Sequence, residues 1–230
     1  MRFYGLIPAA GTGFRFGASV PKQYLALRGK PVLAHEIQRL REHFPLTRTY
    51  VILAPEDRWF EQSSKAHDDL TVLRCGGETR AESVRNALAH LDDAVAADDW
   101  IVVHDAVRPC LGRDASLRLQ RELADDPVGG FLAIPVSDTL KRLRDDGRVD
   151  RTEPRDALWR AQTPQMFRFS VLRAAFAKPG LDRFTDEAYA VESLGLAPRC
   201  VRGSASNVKV TFPEDLPLAA AILSADSARE

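Results

Sequence analysis

The chain has 230 residues, 45% of them hydrophobic and 28% charged, enough apolar content for one sizeable core. Its 32 basic residues balance 32 acidic ones, which argues against the broad cationic footprint of a nucleic-acid binder but leaves room for a local anion pocket. The three cysteines, Cys75, Cys110 and Cys200, form no CxxC pair or zinc spacing, no apolar run approaches the ~20 residues of a membrane span, and no charged leader precedes an apolar stretch, so a cytoplasmic protein is expected.

In chain order, FYGLIP (3–8) reads as a buried strand. Pro31 suits the first position of a helix whose apolar face is Val32, Leu33, Ile37, Leu40 and Phe44. TYVILA (49–54) and LTVLRC (70–75) are the next strands, with a helix over 56–67 between them. A helix over 79–91 carries Val84, Leu88 and Leu91 on one stripe. WIVVHD (100–105) and GGFLAIPV (129–136) are further strands, separated by a helix near 113–124. Apolar β-branched strands alternating with helices predict an α/β fold, a doubly wound, mostly parallel sheet. After Val136 the run DTLKRLRDDGRVDRTE is polar and centred on Asp146-Gly147, a hairpin signal. With too few apolar residues for a core, the stretch over 137–155 reads as a β-arm that needs a partner surface. Helices near 170–177 and 185–194, a strand over 207–212 and a closing helix over 213–224 complete the chain, most simply as one domain.

Ligands of such sheets bind outside the carboxyl ends of the strands, and the polar motifs fall there. The first is PAAGTGFRFGASVPKQY (8–24). It is not a dinucleotide fingerprint, because Phe16 stands where a third glycine is needed, and Pro21 and Gly29 prevent a prompt helix. It is not a Walker A loop, because no Gly-Lys-Ser/Thr follows. A structural turn leaves Arg15 and Lys22 unexplained; backbone amides with two cations suit a triphosphate. Asp105, ending WIVVHD, is either a magnesium ligand or a helix cap, since magnesium takes one or two carboxylates plus substrate phosphates. His104 points away from Asp105 on an alternating strand and reads as structural. Arg108 either holds phosphate or pairs with an acid, Arg80 reads as first-turn helix surface, and Asp186 as an N-cap or a sugar-hydroxyl acceptor.

The run AAGTGFRFGASVPKQY resembles the signature loop of nucleotidyltransferases that join a nucleoside triphosphate to a sugar phosphate, and its nearest pattern is the 2-C-methyl-D-erythritol 4-phosphate cytidylyltransferase family. The resemblance continues through GGETRAESVRNAL, VHDAVRP, SDTLKR, LWRAQTPQMF, TDEAYAVE and NVKVTFPEDL, in that order over nearly the whole chain. It implies a single Rossmann-like nucleotidyltransferase domain over 1–230 that transfers CMP from CTP to 2-C-methyl-D-erythritol 4-phosphate and releases pyrophosphate. Arg15, Lys22 and Lys209 would be catalytic, and Pro8, Ala9, Ala10, Gly11, Gly77, Ser83 and Ala106 would hold the nucleotide, with Gly76 and Gly77 admitting the base. Thr139, Arg155, Thr163 and Thr185 would hold the acceptor, and Asp105 would bind Mg2+. The arm would swap across a two-fold axis of a homodimer; Pro154 there departs from the family pattern and restricts Glu153 to extended geometry. Two rivals stay open: a ribitol 5-phosphate cytidylyltransferase, and a non-catalytic nucleotide-binding module.

Overall fold

A computed structural model of the chain describes residues 1–11, 20–63 and 68–227. The chain begins with β1 (Phe3–Pro8), a short hairpin of β2 (Ala26–Leu27) and β3 (Lys30–Pro31), and α1 (Val32–His43). There follow β4 (Leu46–Ile52), α2 (Phe60–Ser63), β5 (Leu70–Leu73), α3 (Arg80–His90), β6 (Trp100–Val103), α4 (Arg113–Leu123) and β7 (Gly129–Pro135). The last part contains β8 (Leu140–Leu143), β9 (Val149–Glu153), β10 (Trp159–Arg168), α5 (Phe169–Phe176), α6 (Glu187–Glu192), β11 (Arg199–Arg202) and α7 (Asp215–Ser227).

Among the described residues, seven strands form one sheet in the order β11-β7-β10-β6-β1-β4-β5. Only β10 runs antiparallel to its neighbours, β6 and β7, so the sheet is mostly parallel, as the alternating pattern predicts. Residue alternation splits the core into two layers. Tyr4, Leu6, Ile101 and Val103 face one side, against Val84 and Leu88 of α3 and Leu172 and Phe176 of α5. Ile7, Trp100 and Val102 face the other, against Leu33, Ile37 and Leu40 of α1 and Leu119 and Leu123 of α4. From β1 the chain moves outward to β4 and β5, then returns to place β6 on β1's other side. That reversal opens a crevice at the carboxyl ends of β1 and β6.

Three elements differ from the sequence reading. The stretch 207–212 is not a strand: Asn207 N–H turns back to Ser204 O, Val210 N–H donates to Val107 O, and the Thr211 and Phe212 amides donate to Asp215 Oδ2, capping α7. The sheet instead gains β10 and β11. Pro31 lies one residue outside α1, with extended ψ 148°. Of the helix expected over 56–67, the described part is only Phe60–Ser63, and 64–67 lie outside the described residues. The hairpin signal at Asp146-Gly147 is met: β8 pairs with β9 in a separate two-stranded sheet, with Gly147 at φ 78° in its turn.

Candidate active site

The crevice holds a cavity of about 610 Å³, lined by Pro8–Gly11, Lys22, Gln23, Ala54–Glu56, Gly76–Arg80, Ser83, Asp105–Val107 and Lys209. Four segments remote in sequence meet there because each follows the carboxyl end of one of the adjacent parallel strands β6, β1, β4 and β5. Arg15 lies outside the described residues. The end of β1 is tied down by Gln23, whose buried side-chain amide donates to Ala9 O at 2.8 Å and Gly11 O at 3.0 Å. Gln23 was not singled out in the sequence, although it sits one residue from Lys22.

The loop before α3 is shaped by its own hydrogen bonds. Gly77 N–H donates to Ser83 Oγ at 3.0 Å, and Ser83 Oγ–H donates to Thr79 O at 2.9 Å. A Cβ on Gly76 would fall 2.3 Å from Ala10 Cβ, and one on Gly77 2.5 Å from Glu82 Cβ. The close approach that demands these glycines is therefore between protein segments: the loop packs onto the end of β1 and onto α3, forming a thin wall. Thr79 caps α3, accepting from Glu82 N while Glu82 reaches back to Thr79 N.

Asp105 is the electrostatic centre. It is nearly buried and has cations on both oxygens. Arg80 Nε donates to Oδ1 at 3.0 Å; Lys209 Nζ lies 2.9 Å from Oδ2 and Arg108 Nε 3.5 Å from it. Burial alone would raise the carboxyl's pKa, but Arg80, Lys209 and Arg108 together outweigh it and hold the group well below the usual carboxylate range. Asp105 is therefore ionised throughout the physiological range. Arg80 also grips the fully buried Glu187 of α6 with both terminal nitrogens, at 2.6 and 3.0 Å. Arg80 is thus not helix surface, and Arg108 pairs with an acid while donating to Asn207 O at 2.7 Å.

Beneath Asp105 lies a polar support. Its N–H donates to Thr163 Oγ1 at 3.0 Å, and the same oxygen sits 2.7 Å from Nδ1 of the buried His104. Burial drives the His104 pKa down to about 3, so the ring is neutral. His104 is structural, as alternation suggested. Thr163 lies in the floor under Asp105 rather than in the cavity wall. Thr185, Thr139 and Arg155 are exposed and stand outside this cavity. Thr185 lines a second depression with Trp159 and Tyr189, and Arg155 donates to Ser137 O at the base of the arm. Asp186 is the N-cap of α6, accepting from Tyr189 N at 2.9 Å.

A mostly parallel α/β sheet that brings Pro8–Gly11, the thin-walled loop before α3 and a cation-ringed aspartate together at its strand ends has the architecture expected of a nucleotidyltransferase. A family model described as IspD, 2-C-methyl-D-erythritol 4-phosphate cytidylyltransferase, matches residues 4–225. The chain belongs to that family. It is 55% identical over 229 residues to the 2-C-methyl-D-erythritol 4-phosphate cytidylyltransferase of Laribacter hongkongensis, across 99% of this chain and 98% of that protein. It is 52% identical over 226 residues to the protein of the same name from Dechloromonas aromatica, across 97% and 98%. A crystal structure of a 4-diphosphocytidyl-2C-methyl-D-erythritol synthase superposes with a TM-score of 0.86 at 39% identity, covering 96% of this chain and 98% of that one.

Proposed function

We propose that the cavity beside Asp105 transfers CMP from CTP to 2-C-methyl-D-erythritol 4-phosphate and releases pyrophosphate, a step of non-mevalonate isoprenoid precursor synthesis. The observation that carries the residue assignment is the 2.9 Å Lys209–Asp105 contact on the wall of a cavity built from the β1 and β6 strand ends. The family and its named relatives favour methylerythritol phosphate over ribitol phosphate as acceptor, and catalysis over mere nucleotide binding.

The chemistry follows from charge. The acceptor phosphate attacks the α-phosphorus in line; a phosphate O–P bond forms as the bond from the α-phosphorus to the bridging oxygen breaks, and that oxygen leaves on pyrophosphate. The attacking oxygen is already anionic, so no general base is needed, and repulsion between two polyanions is the main obstacle. Lys22 and Arg15 neutralise the triphosphate, with the backbone of Pro8–Gly11 beside it. Lys209, drawn into place by Asp105, faces the acceptor phosphate. The small Ala106 and the loop at Gly77 and Ser83 leave a slot for a pyrimidine.

Magnesium fits this donor set only as a site shared with nucleotide. Asp105 is ionised and reaches the cavity wall, but among the described residues no three His, Cys, Asp or Glu side chains cluster to cage a cation without phosphate. Asp105 and the phosphate oxygens would hold it together, and when bound it would offset charge on the non-bridging oxygens.

The working form we propose is a homodimer in the cytoplasm. The arm exposes Leu143 and Val149 at 58% and 53%, and Trp159 follows at 43%, and a polar hairpin of this size is not stable without a surface to lie on. Swapped onto a partner, the arm would bring Thr139 and Arg155 to the partner's acceptor site beside Thr185, with Thr163 supporting Asp105 from beneath. Pyrophosphate release is the test, with CTP, UTP, GTP and ATP against methylerythritol, ribitol and hexose phosphates, each with magnesium or EDTA. Release is expected only with CTP, methylerythritol phosphate and magnesium; release with ribitol phosphate alone would overturn the acceptor, and full activity in EDTA the metal.

A further inference from the structure

We infer that Glu187 is a positioning residue for the transfer: through Arg80 it fixes the carboxylate of Asp105 and so links the loop that holds the base to the α6 corner on the acceptor side. The chain of contacts is continuous. Glu187 is fully buried, and its two oxygens take the two terminal nitrogens of Arg80 in a fork, at 2.6 and 3.0 Å. The remaining nitrogen of the same guanidinium, Nε, donates to Asp105 Oδ1 at 3.0 Å. A planar group held at two points has little freedom at the third, so Glu187 sets the direction from which Asp105 is held. Lys209 and Arg108 lie on the opposite oxygen, and Arg80 keeps them from pulling the carboxylate out of register.

The α6 end is equally constrained. Gln165 of β10 accepts from Ala188 N at 2.8 Å and donates to Asp186 Oδ2 at 3.0 Å, pinning both neighbours of Glu187 to the sheet. Three rigid elements, α3, β10 and α6, therefore converge on one carboxylate. Burial pushes the Glu187 carboxyl up while Arg80 pulls it back, and Arg80 itself is held well above its ordinary value. A buried ion pair is weak evidence for stability, because apolar residues of like volume often replace it without loss. Its geometry here, aimed at Asp105, points to a role in function.

The inference rests on Asp105 serving the transfer, which Asp105→Asn tests separately: full turnover in that variant removes the Asp105 assignment itself. The test of the inference is a double replacement, Arg80→Met with Glu187→Leu, which removes both buried charges together. The expected result is a folded protein with a melting temperature near wild type, an unchanged KM for CTP and a kcat reduced ~10–100-fold, the size typical of groups that orient a ligating side chain. Arg80→Lys is the second variant. It keeps a charge for Glu187 but cannot span both acids, and the same fall in kcat is expected. Wild-type kcat in either folded variant overturns the inference, as does a rise in the KM for CTP with kcat unchanged, which would make the pair part of the base pocket.

Discussion

Glu36 sits in α1 between Leu33, Ile37 and Leu40, on the apolar stripe rather than the solvent face, and is fully buried. Neither carboxylate oxygen has a hydrogen-bond partner, and His104 Nε2, also without one, lies 4.0 Å from Oε1. Burial first, and the negative charge of Asp105 second, push the Glu36 pKa well above 4.5. The sign follows from linkage. Below the unfolded pKa of 4.5 the group is neutral in both states and carries no penalty. As pH rises past it, the unfolded chain ionises and the folded chain does not, so stability is lost progressively up to the folded value. Glu36→Gln removes this loss. Calorimetry from pH 5 to 8 is expected to show a melting-temperature advantage for the variant that grows with pH, on the order of 2–4 °C per kcal/mol for a chain of this size. An advantage that is constant or shrinks contradicts the account. The position was legible in part: the i+3 and i+4 spacing puts Glu36 on the helix's apolar face. Glu187 carried no such mark, because its partner is 107 residues away.

At the scale of elements, the sequence was readable where apolar β-branched runs end in a polar motif. Those strands, β1, β4, β5, β6 and β7, are buried or half-buried parallel strands. It was unreadable where a strand carries buried polar groups. β10 contains Gln162, Thr163 and Gln165, all buried, and it breaks its pairing register with β7 between Ala161 and Gln165. β11, at the sheet edge, exposes Arg199, Cys200 and Arg202 and buries only Val201, so it shows no apolar run. NVKVT alternates like a strand, but its donors are taken by a turn and a helix cap. The α3 start was legible from Thr79 and Glu82, and their reciprocal bonds are present. Thr79→Ala removes the side-chain acceptor for Glu82 N and, by freeing the Glu82 arm, loosens the loop that Ser83 ties to Gly77. A loss of about 1 kcal/mol in urea unfolding is expected, with a higher KM for CTP and little change in kcat. A large fall in kcat with the KM for CTP unchanged would show that the loop serves the reacting phosphates rather than the base.

The whole molecule poses a question that one chain cannot answer alone. The described residues proposed to hold CTP line one cavity, but two of the four residues matched to the acceptor, Thr139 and Arg155, flank an arm whose strands pair with each other and, among the described residues, with no strand of the main sheet. With the arm laid on a second copy, as proposed, such a split site is completed across the interface, and a closed two-fold arrangement completes two such sites at once. Complementation follows. Arg155→Ala impairs the arm and leaves the core; Lys209→Ala impairs the core and leaves the arm. Each variant alone gives dimers with two defective sites. Mixed in equal amounts and allowed to exchange subunits, half the dimers are hybrids, and each hybrid has one site with an intact core under an intact arm. Activity is expected to rise to about a quarter of the wild-type level per chain, far above either parent. Activity no greater than the mean of the parents, after exchange is verified by mass, means that Arg155 serves the core of its own chain.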